Sequence, residues 1–229
     1  DGTSVTFDKM PALTSVSIDS DSATSSGTNE TAKVGDTVTL SFRADETIQA
    51  PTVAFTVGST SAGGSITVTN VSGDDWTTTF VLASGDTEGA VGFTIDFSDM
   101  SGNAGTQVTS TTDSSSVTFD KTAPTLTSVS IDSDSATSIG TDETAKAGDT
   151  VTLSFTADET IQAPTVAFTV GGASATGSVT VTNTSGNVWT AVFMLSSGDT
   201  EGAVGFTIDF ADMSGNAGTQ VTSTTDSSS

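Results

Sequence analysis

The residues of this chain that can do chemistry are oxygen donors, and they come in two matching sets. The first is Asp8, Asp45, Glu46, Asp96, Asp99 and Asn103; the second is Asp120, Asp158, Glu159, Asp209, Asp212 and Asn216. Members of the second set lie 113 residues after their counterparts, except Asp120, which lies 112 after Asp8. Carboxylates and amide carbonyls without a nitrogen or sulfur partner are the ligand inventory of a hard cation. Calcium takes about six to eight such oxygens at about 2.3–2.6 Å. With no His, Cys or Tyr among the 229 residues, Ser-His-Asp and Cys-His nucleophiles, zinc sites and disulfides are excluded. Paired carboxylates alone would suit glycoside hydrolysis, but no basic or aromatic hydroxyl group accompanies them. The chain is read as a non-enzyme.

The charge balance narrows the partners further. Five Lys and Arg stand against 28 Asp and Glu, a net charge of −23. So few cations cannot neutralise a run of phosphates, and an anionic membrane would repel the chain, so neither nucleic acid nor membrane insertion is expected. Of the acids, 22 are Asp and 6 Glu, and Val, Ile, Leu and Phe together make up 48 of the 229 residues. Asp favours turns and cation sites over helices. A core this thin under such self-repulsion gains from a bound cation.

The elements that must position these acids form a duplicated unit. Residues 13–113 match 126–226 with 16 differences in 101 positions, and Ser4-Val5-Thr6-Phe7-Asp8-Lys9 matches Ser116-Val117-Thr118-Phe119-Asp120-Lys121. Residues 226–229 begin a third copy, so the expectation is a piece of a longer tandem array. Repeat one is assigned to 1–120, with 1–12 as its lead-in linker, and repeat two to 121–229. Alternation of period two predicts strands at 13–18, 37–43, 52–57, 65–71, 76–82, 91–97 and 106–119, the last broken near Asp113. Val38, Leu40, Phe42, Val53, Phe55, Val57, Trp76, Phe80, Leu82, Val91, Phe93, Ile95 and Phe97 are expected to face inward. Gly, Asp, Asn and Ser fill the connections. The fold predicted is all-β: two tandem immunoglobulin-like Greek-key β-sandwiches arranged end to end.

On that trace the two oxygen sets gather at the pole where each domain begins. A further acidic group falls at the opposite pole: Asp19, Asp21, Glu30, Asp86 and Glu88, with counterparts Asp132, Asp134, Asp142, Glu143, Asp199 and Glu201. Of these, Asp19, Asp21, Asp132 and Asp134 are taken as further calcium candidates. The Asp-Ser-Asp-Ser run lacks the Gly and Glu of an EF-hand loop and is not one. Trp76 and Trp189 read as core, and the Thr-x-Thr stretches at 67–69 and 180–182 as strand formers on a wet face.

Two blocks carry a family resemblance. Val117-Thr118-Phe119-Asp120-Lys121-Thr122-Ala123-Pro124-Thr125, followed by a strand and Lys146-Ala147-Gly148-Asp149-Thr150-Val151-Thr152-Leu153, resembles the bacterial Ig-like repeats of giant cell-surface adhesins. So does Asp212-Met213-Ser214-Gly215-Asn216-Ala217-Gly218 ahead of the last strand, and the resemblance covers both copies. These are RTX-type adhesins exported by type I secretion, among them biofilm and ice adhesins. The resemblance implies an extracellular, bacterial cell-surface extender that holds a distal ligand-binding domain away from the cell. It also implies calcium at the junctions between identical neighbouring repeats, with Asp120, Asp212 and Asn216 as ligands and Asp8, Asp99 and Asn103 as their copy-one equivalents. Two departures stand out: the first lead-in is one residue short, and an Asp-Ser-Ser-Ser segment at 113–116 interrupts the last strand. The alternative from another class is an adhesive module binding glycan, ice or protein through repeated Thr-rich faces. The fragment itself is expected to be monomeric.

Overall fold

The computed structural model describes residues 7–135 and 143–228. The chain divides into two units, Asp1–Lys121 and Thr122–Ser229. In the first, one sheet contains β1 (Leu13–Ser20), β3 (Thr37–Ala44), β7 (Asp75–Val81) and β6 (Thr67–Ser72), in the order β1-β3-β7-β6. The other contains β2 (Asn29–Ala32), β9 (Ser116–Phe119), β8 (Gly89–Asp96), β4 (Thr52–Val57) and β5 (Thr60–Ser61), in the order β2-β9-β8-β4-β5. This two-sheet Greek-key arrangement is an immunoglobulin-like sandwich. The second unit repeats it with β10 (Leu126–Ser133), β11 (Thr150–Ala157), β15 (Val188–Met194) and β14 (Thr180–Ser185) in one sheet. Its other sheet holds β13 (Ala173–Ser174), β12 (Thr165–Val170) and β16 (Val204–Asp209). Among the described residues there is no helix.

Alternation builds the core. Val38, Leu40 and Phe42 on β3, Phe80 on β7, Val53, Phe55 and Val57 on β4, and Phe93 and Ile95 on β8 are all buried, with Leu82 and Phe97 just beyond their strands. The rings of Phe55 and Phe80 meet across the two sheets at 4.4 Å between centroids. Trp76 is half-buried against this cluster, as its inward register predicts. Its indole nitrogen, like that of Trp189, is buried without a hydrogen-bond partner.

Thr78 has the same defect and points to a repair. Its Oγ1 is buried with no partner, and the second repeat holds Ala191 at the matching, equally buried position. An unsatisfied buried hydroxyl costs about 1–3 kcal/mol, against about 0.8 kcal/mol for the methyl lost with it. Thr78→Ala is therefore expected to stabilise the first repeat by about 1 kcal/mol, read as a rise in denaturant midpoint at unchanged slope.

The last strand is broken near Asp113, as expected, but the half before the break is not a strand: Val108 makes a single bridge to Ile95, and only Ser116–Phe119 forms β9. The break has a local cause. The Asp113 carboxylate accepts from the Ser115 backbone N–H and hydroxyl, and Ser114 takes a left-handed φ of 66°. The looping segment then covers the outer edge of β1: Thr112 N–H donates to Val16 O, while Thr112 Oγ1 and Ser115 Oγ accept from Val16 and Ile18 N–H. Edge groups that would otherwise template another strand are thereby occupied. β2, absent from the sequence reading, pairs in parallel with β9.

Candidate metal centre

The loop between β3 and β4 and the loop after β8 are drawn together by backbone bonds. Ile48 bridges Asp99, the Gln49 N–H donates to Ser98 O at 2.8 Å, and Gln49 Nε2 donates to Asp99 O at 2.7 Å. Asp99 organises its own turn. Its Oδ1 accepts the N–H groups of Ser101 and Asn103, and its Oδ2 accepts Asn103 Nδ2 at 2.7 Å. Gly102 supplies the positive φ of 91° that the turn needs. At Gly105 the limit is space, since a Cβ there would meet the Phe97 ring at 2.3 Å. Burial works against ionising Asp99, but the bonds from Asn103, Ser101 and Gly102 together outweigh it and hold its carboxyl below the usual value.

Asp8 and Glu46 complete the cluster. Carboxylate oxygens of Asp8, Glu46 and Asp99 all lie within 4.8 Å of one another. Two oxygens on opposite sides of one calcium are separated by about 5 Å, so this spacing suits three ligands of a common ion. Electrostatics point the same way. Partial desolvation, and then the neighbouring Asp8, Asp99 and Asp45, push the Glu46 carboxyl above its ordinary value, with Lys9 opposing. A cation at the centre would reverse that repulsion.

The remaining sequence candidates of this pole have other partners. Asp45 clamps the lead-in, accepting from the Ala12 N–H at 2.8 Å, with Lys9 Nζ 3.8 Å from its other oxygen. Its counterpart Asp158 accepts from Thr125 N–H and Oγ1, bonds that lower its carboxyl's pKa. Despite the residue missing from the first lead-in, Ala12 and Thr125 make the same contact, and Asp8 still reaches Glu46 and Asp99. Asp96 accepts from Gln107 Nε2, and Asp209 from Gln220 Nε2. In the second repeat Asp212 is buried and accepts from Asn216 N–H and Nδ2, and Glu159 has an oxygen within 4.8 Å of it. Asp120 follows β9, its N–H donating to Ala32 O.

At the opposite pole the acids act as turn locks. Asp21 and Asp134 each accept a backbone N–H at 2.6 Å, from Thr37 and Thr150. Asp86 accepts from Gly63 and Ala83, and Asp199 from Thr176 and Ser196. Buried Glu30 accepts from both Ser20 groups, and Asp19 beside it is pushed up by desolvation and by the Glu30 charge. Glu143 accepts from the Ser133 N–H in place of Glu30, and Asp132 lies beside it. Glu88 accepts from the Lys121 N–H, and Asp142 lies outside the described residues. Among the described residues, no three carboxylates at this pole approach as Asp8, Glu46 and Asp99 do.

No family model matches the chain, and no curated protein matches it. Solved structures do. The chain is similar to the titin I-band fragment I67-I69, at 12% identity and a TM-score of 0.49, over 95% of this chain and 64% of that one. It thus spans less than two thirds of that fragment. It is also similar to DIP-gamma IG1+IG2, at 12% identity and a TM-score of 0.36, over 95% and 96% of the two chains. At these scores the likeness carries no functional argument, and the fold class rests on the strand order described above.

Proposed function

We propose that this chain is a load-bearing extender segment of a large bacterial surface adhesin, its repeats stiffened by calcium to carry a distal binding domain. The observation that carries the reading is the convergence of Asp8, Glu46 and Asp99, three carboxylates from a lead-in segment and two loops, within 4.8 Å. Asp8 belongs to the segment that leads into the domain, so an ion shared with Glu46 and Asp99 ties that lead-in to the sandwich. In the repeat register Asp120, Glu159 and Asp212 are the counterparts of Asp8, Glu46 and Asp99. Near-identity of the copies supports a mechanical unit, since a catalytic site has little use for immediate duplication. Extracellular modules of this type bind calcium at about 10⁻⁴–10⁻³ M, so sites would fill only after export. Partners in this reading are adjoining repeats of the same chain, without nucleic acid.

The alternative, adhesion through a Thr-rich face, has one observation behind it. On the outer face of the first sandwich Thr67 pairs with Thr79, and Thr69 with Thr77. The row is not kept, because Thr180 in the second repeat pairs with Val192.

Solution scattering separates the two. With millimolar calcium the extender reading expects a narrow distribution of maximum dimension, and with chelator a broad one. A profile indifferent to calcium contradicts it and turns attention to glycan and ice binding by the threonine face.

A further inference from the structure

The turn between β7 and β8 in the first sandwich is built as a fixed seat. Asp86 is 4% exposed, and its carboxylate accepts the N–H groups of Ala83 and Gly63, each at 2.8 Å. The Asp86 N–H in turn donates to Ala83 O. The turn also lies against Gly58, which takes a left-handed φ of 54° and where a Cβ would strike the carbonyls of Thr87 and Glu88. Glycine meets both demands. Locked this way, the turn holds three acceptors in place: the carbonyls of Ser84 and Asp86 and the carboxylate of Glu88. Ser84-Gly85-Asp86-Thr87-Glu88-Gly89 recurs unchanged at 197–202, so the residues of the seat belong to the repeat.

Lys121 occupies all three acceptors. Its N–H donates to Glu88 Oε1 at 2.9 Å, and its Nζ to Ser84 O at 3.0 Å and to Asp86 O at 2.7 Å. One residue earlier the Asp120 N–H donates to Ala32 O, so the chain leaving β9 is held at two successive residues. Lys9, Arg43 and Lys146 pair with carboxylates, whereas the Lys121 ammonium donates to two main-chain carbonyls. Charge-assisted bonds to fixed backbone positions give direction as well as energy. Lys121 is also the last residue of the first unit, and Thr122 and Ala123 beyond it are exposed. We propose that Lys121 is a positioning residue: it clamps the departing segment to the sandwich it leaves, with no ion needed, and so sets where bending can begin. The proposal rests on the extender reading for its use, and adds a hold on the exit side that calcium removal does not undo. Asp120, one residue upstream, is thereby presented at a fixed point.

The test is backbone amide nitrogen relaxation of the 229-residue chain in chelator. It compares Lys121→Met with Arg43→Thr, which removes the same charge elsewhere and installs the residue that the second repeat holds at Thr156. The unsubstituted chain should show an order parameter of about 0.85 at residue 121 and at Phe119 alike. In Lys121→Met the value at residue 121 should fall below about 0.6, with Phe119 on β9 unchanged. Arg43→Thr should leave both as they were. An order parameter at residue 121 that is already low in the unsubstituted chain overturns the proposal, as does one that Lys121→Met leaves unchanged. Equal loss at Phe119 overturns it too, since Lys121 would then support β9 and not the exit. So does loss of order at residue 121 in Arg43→Thr, which would be an effect of charge alone. With calcium absent throughout, these outcomes stand apart from any failure of calcium binding.

Discussion

Phe119→Ala is expected to remove about 3–5 kcal/mol from the first sandwich, a large part of the roughly 5–15 kcal/mol that holds a domain of this size. The ring is 1% exposed and belongs to the same cluster as Phe55, Phe80 and Leu82. It also anchors β9, whose loss would free the edges of β2 and β8 together. In calorimetry the melting transition of the first repeat should fall in the variant, while that of the second repeat stays where it was. A shift worth less than about 1 kcal/mol would mean that β9 is peripheral.

The second large effect concerns calcium and Glu46. An ion at tenfold its dissociation constant adds about 1.4 kcal/mol per site, or about 6–10 °C in the melting temperature of a domain this small. Glu46→Gln should abolish that gain for the first repeat and at the same time raise its melting temperature in chelator. The sign follows from the direction of the shift. The Glu46 carboxyl lies above its ordinary value because of desolvation and its acidic neighbours, so ionising it weighs against the folded state. That burden is absent below the ordinary glutamate value and grows as pH rises through the raised one. Asp99 runs the other way: its stabilisation is present above the ordinary aspartate value and disappears as pH falls through its lowered one. In chelator, Glu46→Gln should therefore help at neutral pH and do nothing in acid. A variant that loses stability in chelator and still responds to calcium would show that Glu46 is a structural acceptor and not a ligand.

Much of the sandwich is legible because period-two alternation is strong where the core is. Val38, Leu40, Phe42, Val53, Phe55 and Val57 could be placed inward from spacing alone, and all are buried. β2 was not legible. It has four residues, only one of them apolar, and its partner lies 87 residues on in sequence, in parallel. The break near Asp113 was legible, and the Asp113 carboxylate folding back on Ser115 makes it; what was not legible is that the half before the break keeps only the bridge between Val108 and Ile95.

For the acids, the chain trace identifies the pole but not the role. Asp45, Asp86 and Asp99 are all aspartates in turns. All three accept backbone N–H groups, but Asp99 also has a carboxylate oxygen within 4.8 Å of those of Asp8 and Glu46. That distinction depends on sub-ångström loop geometry, which composition does not encode. Asp8 carried the least local signal of all, sitting in a lead-in one residue short of its counterpart.

The most direct measurement is a calorimetric calcium titration of the intact chain beside its Asp8→Asn/Glu46→Gln variant, at constant ionic strength with excess magnesium. The account predicts saturable binding by the unsubstituted chain at sub-millimolar to millimolar calcium, with one site fewer in the variant. Identical isotherms for the two chains, or no saturable binding at all, would contradict it.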